Sequence, residues 1–137
     1  MRLMIDTNII LDILLKREPF YTQSRTVLDL CEKRQISGFV SASSVTDIFY
    51  IIHRTLHNTE LTYKAIDSLL NIVGILDVTA ENVYSAFAKH TKDFEDCLLA
   101  ECAKSNKCVG IVTRNSKDFQ DFDIDIYSPE ELLLIAN

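Results

Sequence analysis

Glycine and proline are scarce, with 3 Gly and 2 Pro in 137 residues. That leaves little room for linkers or low-complexity tracts, so one domain spanning residues 1–137 is expected. Neither a G-x-G-x-x-G fingerprint nor a P-loop can be written around Gly38, Gly74 and Gly110, which excludes the common glycine-rich phosphate cradles. Long apolar runs are also missing. Stretches such as Ile48–Ile52 and Leu132–Ala136 are far too short to span a bilayer, and the N-terminus reaches Asp6 before a signal-like apolar region forms. The expectation is a cytoplasmic protein with no membrane association. The four cysteines, Cys31, Cys97, Cys102 and Cys108, form no C-x-x-C pair and have no zinc spacing with His53, His57 or His90. They are expected to be buried thiols in a reducing compartment. The histidines have no Ser or Cys partner motif for nucleophilic catalysis and are expected at the surface or boundary.

Basic residues are the minority, 14 against 20 acidic ones, for a net charge of −6. This argues against gripping nucleic acid through a broad basic surface. It leaves open an enzyme whose acids are concentrated in one metal site. The apolar fraction of 47% and charged fraction of 25% are those of an ordinary globular chain.

Short apolar runs alternate with helical periodicity along the whole chain. Leu3-Met4-Ile5 ends at Asp6-Thr7-Asn8 and reads as a buried strand meeting a helix N-terminus. Helical patterns then run to Glu18-Pro19 and from about Thr22 to Lys33. Others start at Ser43 or Ser44, extend from about Glu60 to Ile72, cover Ala80 to Lys89, begin at Asp93, and begin again at Pro129. Strands are expected near residues 3–6, 38–41, 75–78, 109–113 and 124–127, with a helical turn at Ser116–Phe119. Such alternation predicts an α/β fold with a parallel sheet covered on both faces. The C-terminal ends of its strands then share one rim, where open α/β sheets bind ligands.

Acids from separate segments converge on that rim. Asp6 follows the first strand, Asp47 lies in the first turn of the helix after the second, Asp93 and Asp96 share a helix start, and Asp118 follows the strand ending at Thr113-Arg114-Asn115. Two carboxylates about 5 Å apart repel by roughly 3 kcal/mol at an effective dielectric near 20. A bound Mg²⁺ or Mn²⁺ removes that penalty and suits hard oxygen ligands. Protonation of one acid is the other remedy. A structural reading competes: Ser44-x-x-Asp47, Asp93-x-x-Asp96 and Asn115-x-x-Asp118 each place an acid where it complements a helix N-terminus, with no metal needed. Asp6 escapes that reading, because it terminates a strand and precedes its own cap candidates. Asp12 is expected to be an exposed helical charge or a partner of Arg17, and Arg114 either touches a phosphate or is a solvated loop charge.

Taken in order, Asp6-Thr7-Asn8, Ser43-Ser44-Val45-Thr46-Asp47, Asp93-Phe94-Glu95-Asp96-Cys97-Leu98 and Val112-Thr113-Arg114-Asn115-x-x-Asp118-Phe119 resemble the PIN-domain pattern, most closely its small VapC-type toxin group. The resemblance covers nearly the whole chain. It implies a three-layer α/β/α sandwich with about five parallel strands and an Mg²⁺- or Mn²⁺-dependent ribonuclease acting on single-stranded or structured RNA. Asp6 and Asp96 match the family's metal-binding acids, and Asp47 matches a second acid that is often Glu. Asn115 stands where many members have a fourth acid, a departure for which Asp118 or Asp93 compensates. The resemblance further implies that Thr113 orients water or a neighbouring carboxylate, and that the protein self-associates as a homodimer and binds a small antitoxin. Phe39, Phe49, Tyr50 and Ile51 offer more apolar surface than one helix face needs, which is consistent with an interface. The alternative is a catalytically weak PIN-fold module that binds RNA or protein. A phospho-acceptor domain wants paired acids after the first strand and a lysine after the last, and a haloacid-type phosphatase wants D-x-D; the chain supplies neither.

Overall fold

A computed structural model describes residues 1–136. Its elements are β1 (Arg2–Ile5), α1 (Thr7–Leu14), α2 (Tyr21–Glu32), β2 (Ser37–Ser41), α3 (Ala42–Leu56), α4 (Thr59–Leu70), β3 (Gly74–Leu76), α5 (Ala80–Lys89), α6 (Phe94–Ser105), β4 (Gly110–Val112), a 3-10 turn (Ser116–Phe119), β5 (Asp125–Tyr127) and α7 (Pro129–Ala136). The five strands form one sheet in the order β3-β2-β1-β4-β5, and every pairing is parallel.

The period of two along β1 distributes its side chains to opposite faces. Leu3 and Ile5 enter a cluster with Ile9, Ile10, Val27, Leu28, Ile48, Ile52, Ile66 and Leu132, contributed by α1, α2, α3, α4 and α7. Met4 enters a second cluster with Ala86, Cys97, Ala100, Cys102, Ile111 and Phe119, beneath α5, α6 and the 3-10 turn. Two helical layers thus sandwich the sheet, the α/β/α arrangement expected. Each fully buried aliphatic or aromatic side chain contributes about 1.5–3 kcal/mol through removal from water.

All four cysteines are buried and free, and burial raises the thiols of Cys31 and Cys102 to about 11, so they pack as small apolar groups. Among the described residues no helix is long and apolar enough to cross a membrane.

Two expectations are corrected here. Helix α3 begins at Ala42, because the Ser41 hydroxyl caps it by accepting from the Ser44 N–H at 3.3 Å. Asp47 consequently sits in the second turn of α3 and not in its first. The apolar surplus assigned to Phe39, Phe49, Tyr50 and Ile51 is also smaller than expected. Phe39 lies on β2 under the Arg2 guanidinium at 4.4 Å, Phe49 packs edge-on against Tyr63 at 5.0 Å, and Ile51 is half-buried. Only Tyr50 remains mostly exposed.

Candidate active site

In the strand order β3-β2-β1-β4-β5, the chain leaves β1 toward one edge of the sheet and resumes at β4 on the other side. The β1/β4 boundary is therefore the topological switch point, and the crevice beyond the strand ends opens there. Asp6 and Thr113 are the first residues past the two strands. The Asp6 N–H donates to the Val112 carbonyl at 2.9 Å, which extends the ladder by one bond and fixes Asp6 at the rim. Thr113, fully buried, donates its hydroxyl to Asp6 Oδ2 at 2.8 Å and accepts the Asn115 N–H at 3.0 Å. One threonine thus ties the carboxylate of the first strand to the loop after the fourth.

Asp6 lines a cavity of about 300 Å³ together with Asp47, Asp96, Glu95, Phe94 and a serine group. Ser41 and Ser44 share a 2.6 Å hydrogen bond between their hydroxyls, and Ser43 joins Ser41 at 3.1 Å. Apolar Leu98 and Leu99 close the cavity beneath Asp96. A larger hollow of about 650 Å³ lies at the opposite rim, where β2 and β3 begin, beside Ser37 and Gly74. Its only carboxylate is Glu32, so it lacks the acid group that makes the smaller cavity chemically distinctive.

The electrostatics of the cavity bear the mark of crowded acids. Burial pushes the Asp96 carboxyl up to about 7, and the neighbouring charges of Asp93, Asp6 and Asp118 push in the same direction. Asp6 is raised chiefly by burial; the Thr113 hydroxyl, the Thr7 N–H and the Arg114 charge pull it back. Asp93 is the N-cap of α6, its carboxylate accepting the Asp96 N–H at 3.0 Å. The capping reading therefore fits Asp96, which lies in the first turn of α6 behind the Asp93 cap. It fails for Asp47, since Ser41 and not Ser44 caps α3, and at Asp118 the first turn has no side-chain cap from Asn115.

The sequence-derived residues therefore separate into groups. Asp6, Asp47 and Asp96 face one cavity, Asp93 and Asp118 add charge at its margin, and Thr113 and Asn115 are connected to it through hydrogen bonds. Among the described residues, no three Asp, Glu, His or Cys side chains close to the spacing of a finished metal cage.

Arg114 turns the other way. Its Nε and Nη2 donate to Asp12 at 2.9 and 3.3 Å, and its guanidinium lies 3.9 Å above the Phe20 ring. Asp12 is fully buried and also accepts from the Ser24 hydroxyl at 3.0 Å. Both expectations for Asp12, an exposed helical charge or a partner of Arg17, are thus overturned. A lone acid inside Ile9-Ile10-Leu11-Asp12-Ile13-Leu14 was the available signal, because a charge on such an apolar face is buried only with a partner. Glu95 and Phe94, which line the cavity, were also missed as site residues.

The sequence profile described as the PIN domain matches residues 2–117. Among solved structures, VapBC2 from Rickettsia felis, bound to a DNA fragment from their promoter, is similar with a TM-score of 0.70 and 18% identity, covering 93% of this chain and 98% of that one. VapBC-1 from nontypeable Haemophilus influenzae gives 0.68 and 20%, covering 95% and 99%. VapC20 from Mycobacterium tuberculosis, a Sarcin-Ricin loop cleaving toxin, gives 0.62 and 11%, covering 80% and 86%. No curated protein matches the sequence. The structural likeness concerns the fold, while the profile extends over the site from Asp6 to Lys117. The chain belongs to the PIN domain family and shares the fold of its VapC-type members.

Proposed function

We propose that this protein is a divalent-cation-dependent ribonuclease and the toxin of a toxin–antitoxin pair, working as a homodimer restrained by a small antitoxin. The observation that carries the reading is the convergence of Asp6, Asp47 and Asp96 on one cavity at the β1/β4 switch point. The donor set fits Mg²⁺ or Mn²⁺, since it is made of hard oxygen atoms. The pKa values of Asp6 and Asp96 are both raised, chiefly by burial and further by neighbouring carboxylates, and a cation would relieve both penalties on the charged forms.

Asp6 and Asp96 would hold the cation, with Asp47 reaching it from α3. When bound, such an ion polarises a phosphoryl oxygen and acidifies water. Thr113 keeps Asp6 in one orientation, so that little reorganisation is needed when substrate arrives. Asp93 and Asp118 deepen the negative potential that draws the ion in, and Asp118 stands in for the acid that Asn115 lacks. The VapC20 neighbour, a Sarcin-Ricin loop cleaving toxin, and the VapBC neighbours supply the RNA and antitoxin parts of the proposal.

Labelled structured and unstructured RNAs should be cut in Mg²⁺ or Mn²⁺, remain intact in EDTA, and remain intact with Asp6→Asn. Asn115 and the shorter reach of Asp47, where the family often has Glu, favour one rival, a binding module with weak catalysis. Wild type that binds these RNAs but leaves all of them uncut in both metals would establish that rival instead.

A further inference from the structure

The acid cavity shares one wall with a second hollow. Phe94, the first residue of α6, lines both. The second hollow, about 220 Å³, is completed by Ala86, Phe87, His90 and Thr91. It forms where α5 ends at Lys89 and His90 turns the chain through a left-handed conformation with φ 53°. Phe87 is 76% exposed and Phe94 41%, and neither joins the core cluster around Met4 and Ile111. Three ring-bearing side chains thus surround a recess next to the carboxylates while contributing little to the core.

The charges near the site limit what else can hold an RNA strand. Arg114 is committed to Asp12, and Lys89 and Lys104 are committed to Glu101, which leaves the exposed Lys92, beside the recess, and Lys117. The chain as a whole carries −6. Neutralising phosphates thus rests on few groups here. Stacking of bases on aromatic rings is the other general source, and it tolerates any base because every base has a π-face.

We propose that the Phe87–Phe94 recess is a nucleobase subsite, in which an unpaired base of the RNA stacks on Phe94 and so sets its phosphate over Asp6 and Asp96. This rests on the RNA-cleavage reading above and adds to it a requirement for an unstacked nucleotide. Discrimination against continuous duplex follows, because a paired base has no free face to offer.

The test uses short oligoribonucleotides with a single 2-aminopurine, whose fluorescence is quenched on stacking, and Ca²⁺ in place of Mg²⁺. Wild type should bind and quench the probe. Phe94→Ala and Phe87→Ala should each weaken binding about tenfold and lose the quenching, whereas Phe94→Tyr should retain both. An oligonucleotide abasic at the same position should bind wild type and Phe94→Ala equally. The inference is overturned by a wild type that neither binds nor quenches, or by alanine variants that bind as wild type does. It is equally overturned if those variants change sedimentation without changing RNA binding, which would mark the recess as an interface between copies. A Mg²⁺ cleavage arm separates the two readings. Quenching through Phe94 without any cleavage would sink only the nuclease, and cleavage indifferent to Phe94→Ala would sink only the subsite.

Discussion

Arg114 donates from two nitrogens to the two oxygens of Asp12 while its other face covers Phe20, so one guanidinium pins α1, the approach to α2 and the loop after β4. Asp12 has no exposure at all and retains only the Ser24 hydroxyl if the arginine is removed. A buried ion pair broken from one side leaves an uncompensated charge, which costs about 3–5 kcal/mol. Arg114→Ala should therefore lower the unfolding free energy by about that amount in urea titration; a loss below about 1 kcal/mol would mean that the pair is not a structural tie. Asp96 provides a pH signature. Its folded-state pKa of about 7 lies above the ordinary 3.8, so the folded protein holds this proton after the unfolded chain has released it. Stability from this group is present at low pH, declines as pH rises between about 4 and 7, and is lost above that. In EDTA, wild type should lose more stability between pH 5.5 and 8 than Asp96→Asn does. Parallel pH curves for the two proteins would show that Asp96 titrates normally.

At the scale of elements, β4 and β5 are only three residues each and meet where Gly110 pairs with Asp125. A Cβ on Gly110 would stand 2.6 Å from a Tyr127 ring carbon and 2.9 Å from the Asp125 carbonyl oxygen. The backbone contact cannot be relieved by a rotamer change. A Cβ on Gly74 would first meet the Phe39 ring, at 2.8 Å, a side chain instead of backbone. Gly110→Ala should cost about 1–3 kcal/mol and speed amide exchange in residues 125–127. Gly74→Ala should cost less, and the reverse order would refute this packing account.

The elements themselves were largely legible because buried parallel strands are unbroken apolar runs and helices repeat at 3.6 residues. The helix at Ala80–Lys89 and the turn at Ser116–Phe119 fall where the pattern put them. The start of α3 was not legible, since Ser41, Ser43 and Ser44 are all competent caps and only the pairing of β2 with its neighbours selects Ser41. The Asp12–Arg114 pair joins positions 102 apart, a distance across which local periodicity carries no information. The gathering of Asp6, Asp47 and Asp96 was legible for a simpler reason: Asp6 ends a strand of one parallel sheet, Asp96 opens a helix, and Asp47 lies in the early turns of the helix that follows β2.

For the whole molecule, the proposed function requires an acidic chain to act on an acidic polymer, so its charge must be placed against a cation instead of a basic surface. The central claim is that Asp6 and Asp96 form a cation site on which RNA cleavage depends. The measurement that tests it most directly is a set of thermal melts of wild type, Asp6→Asn and Asp96→Asn, with and without Mg²⁺ or Mn²⁺, run beside RNA cleavage by the same preparations. Each variant should match or exceed wild type in stability in EDTA, because each removes a repelling charge. The metals should raise the melting temperature of wild type more than that of either variant, and only wild type should cleave. An equal metal response in all three proteins, with cleavage surviving in a variant, would contradict the account and leave these carboxylates as ordinary charges at helix starts.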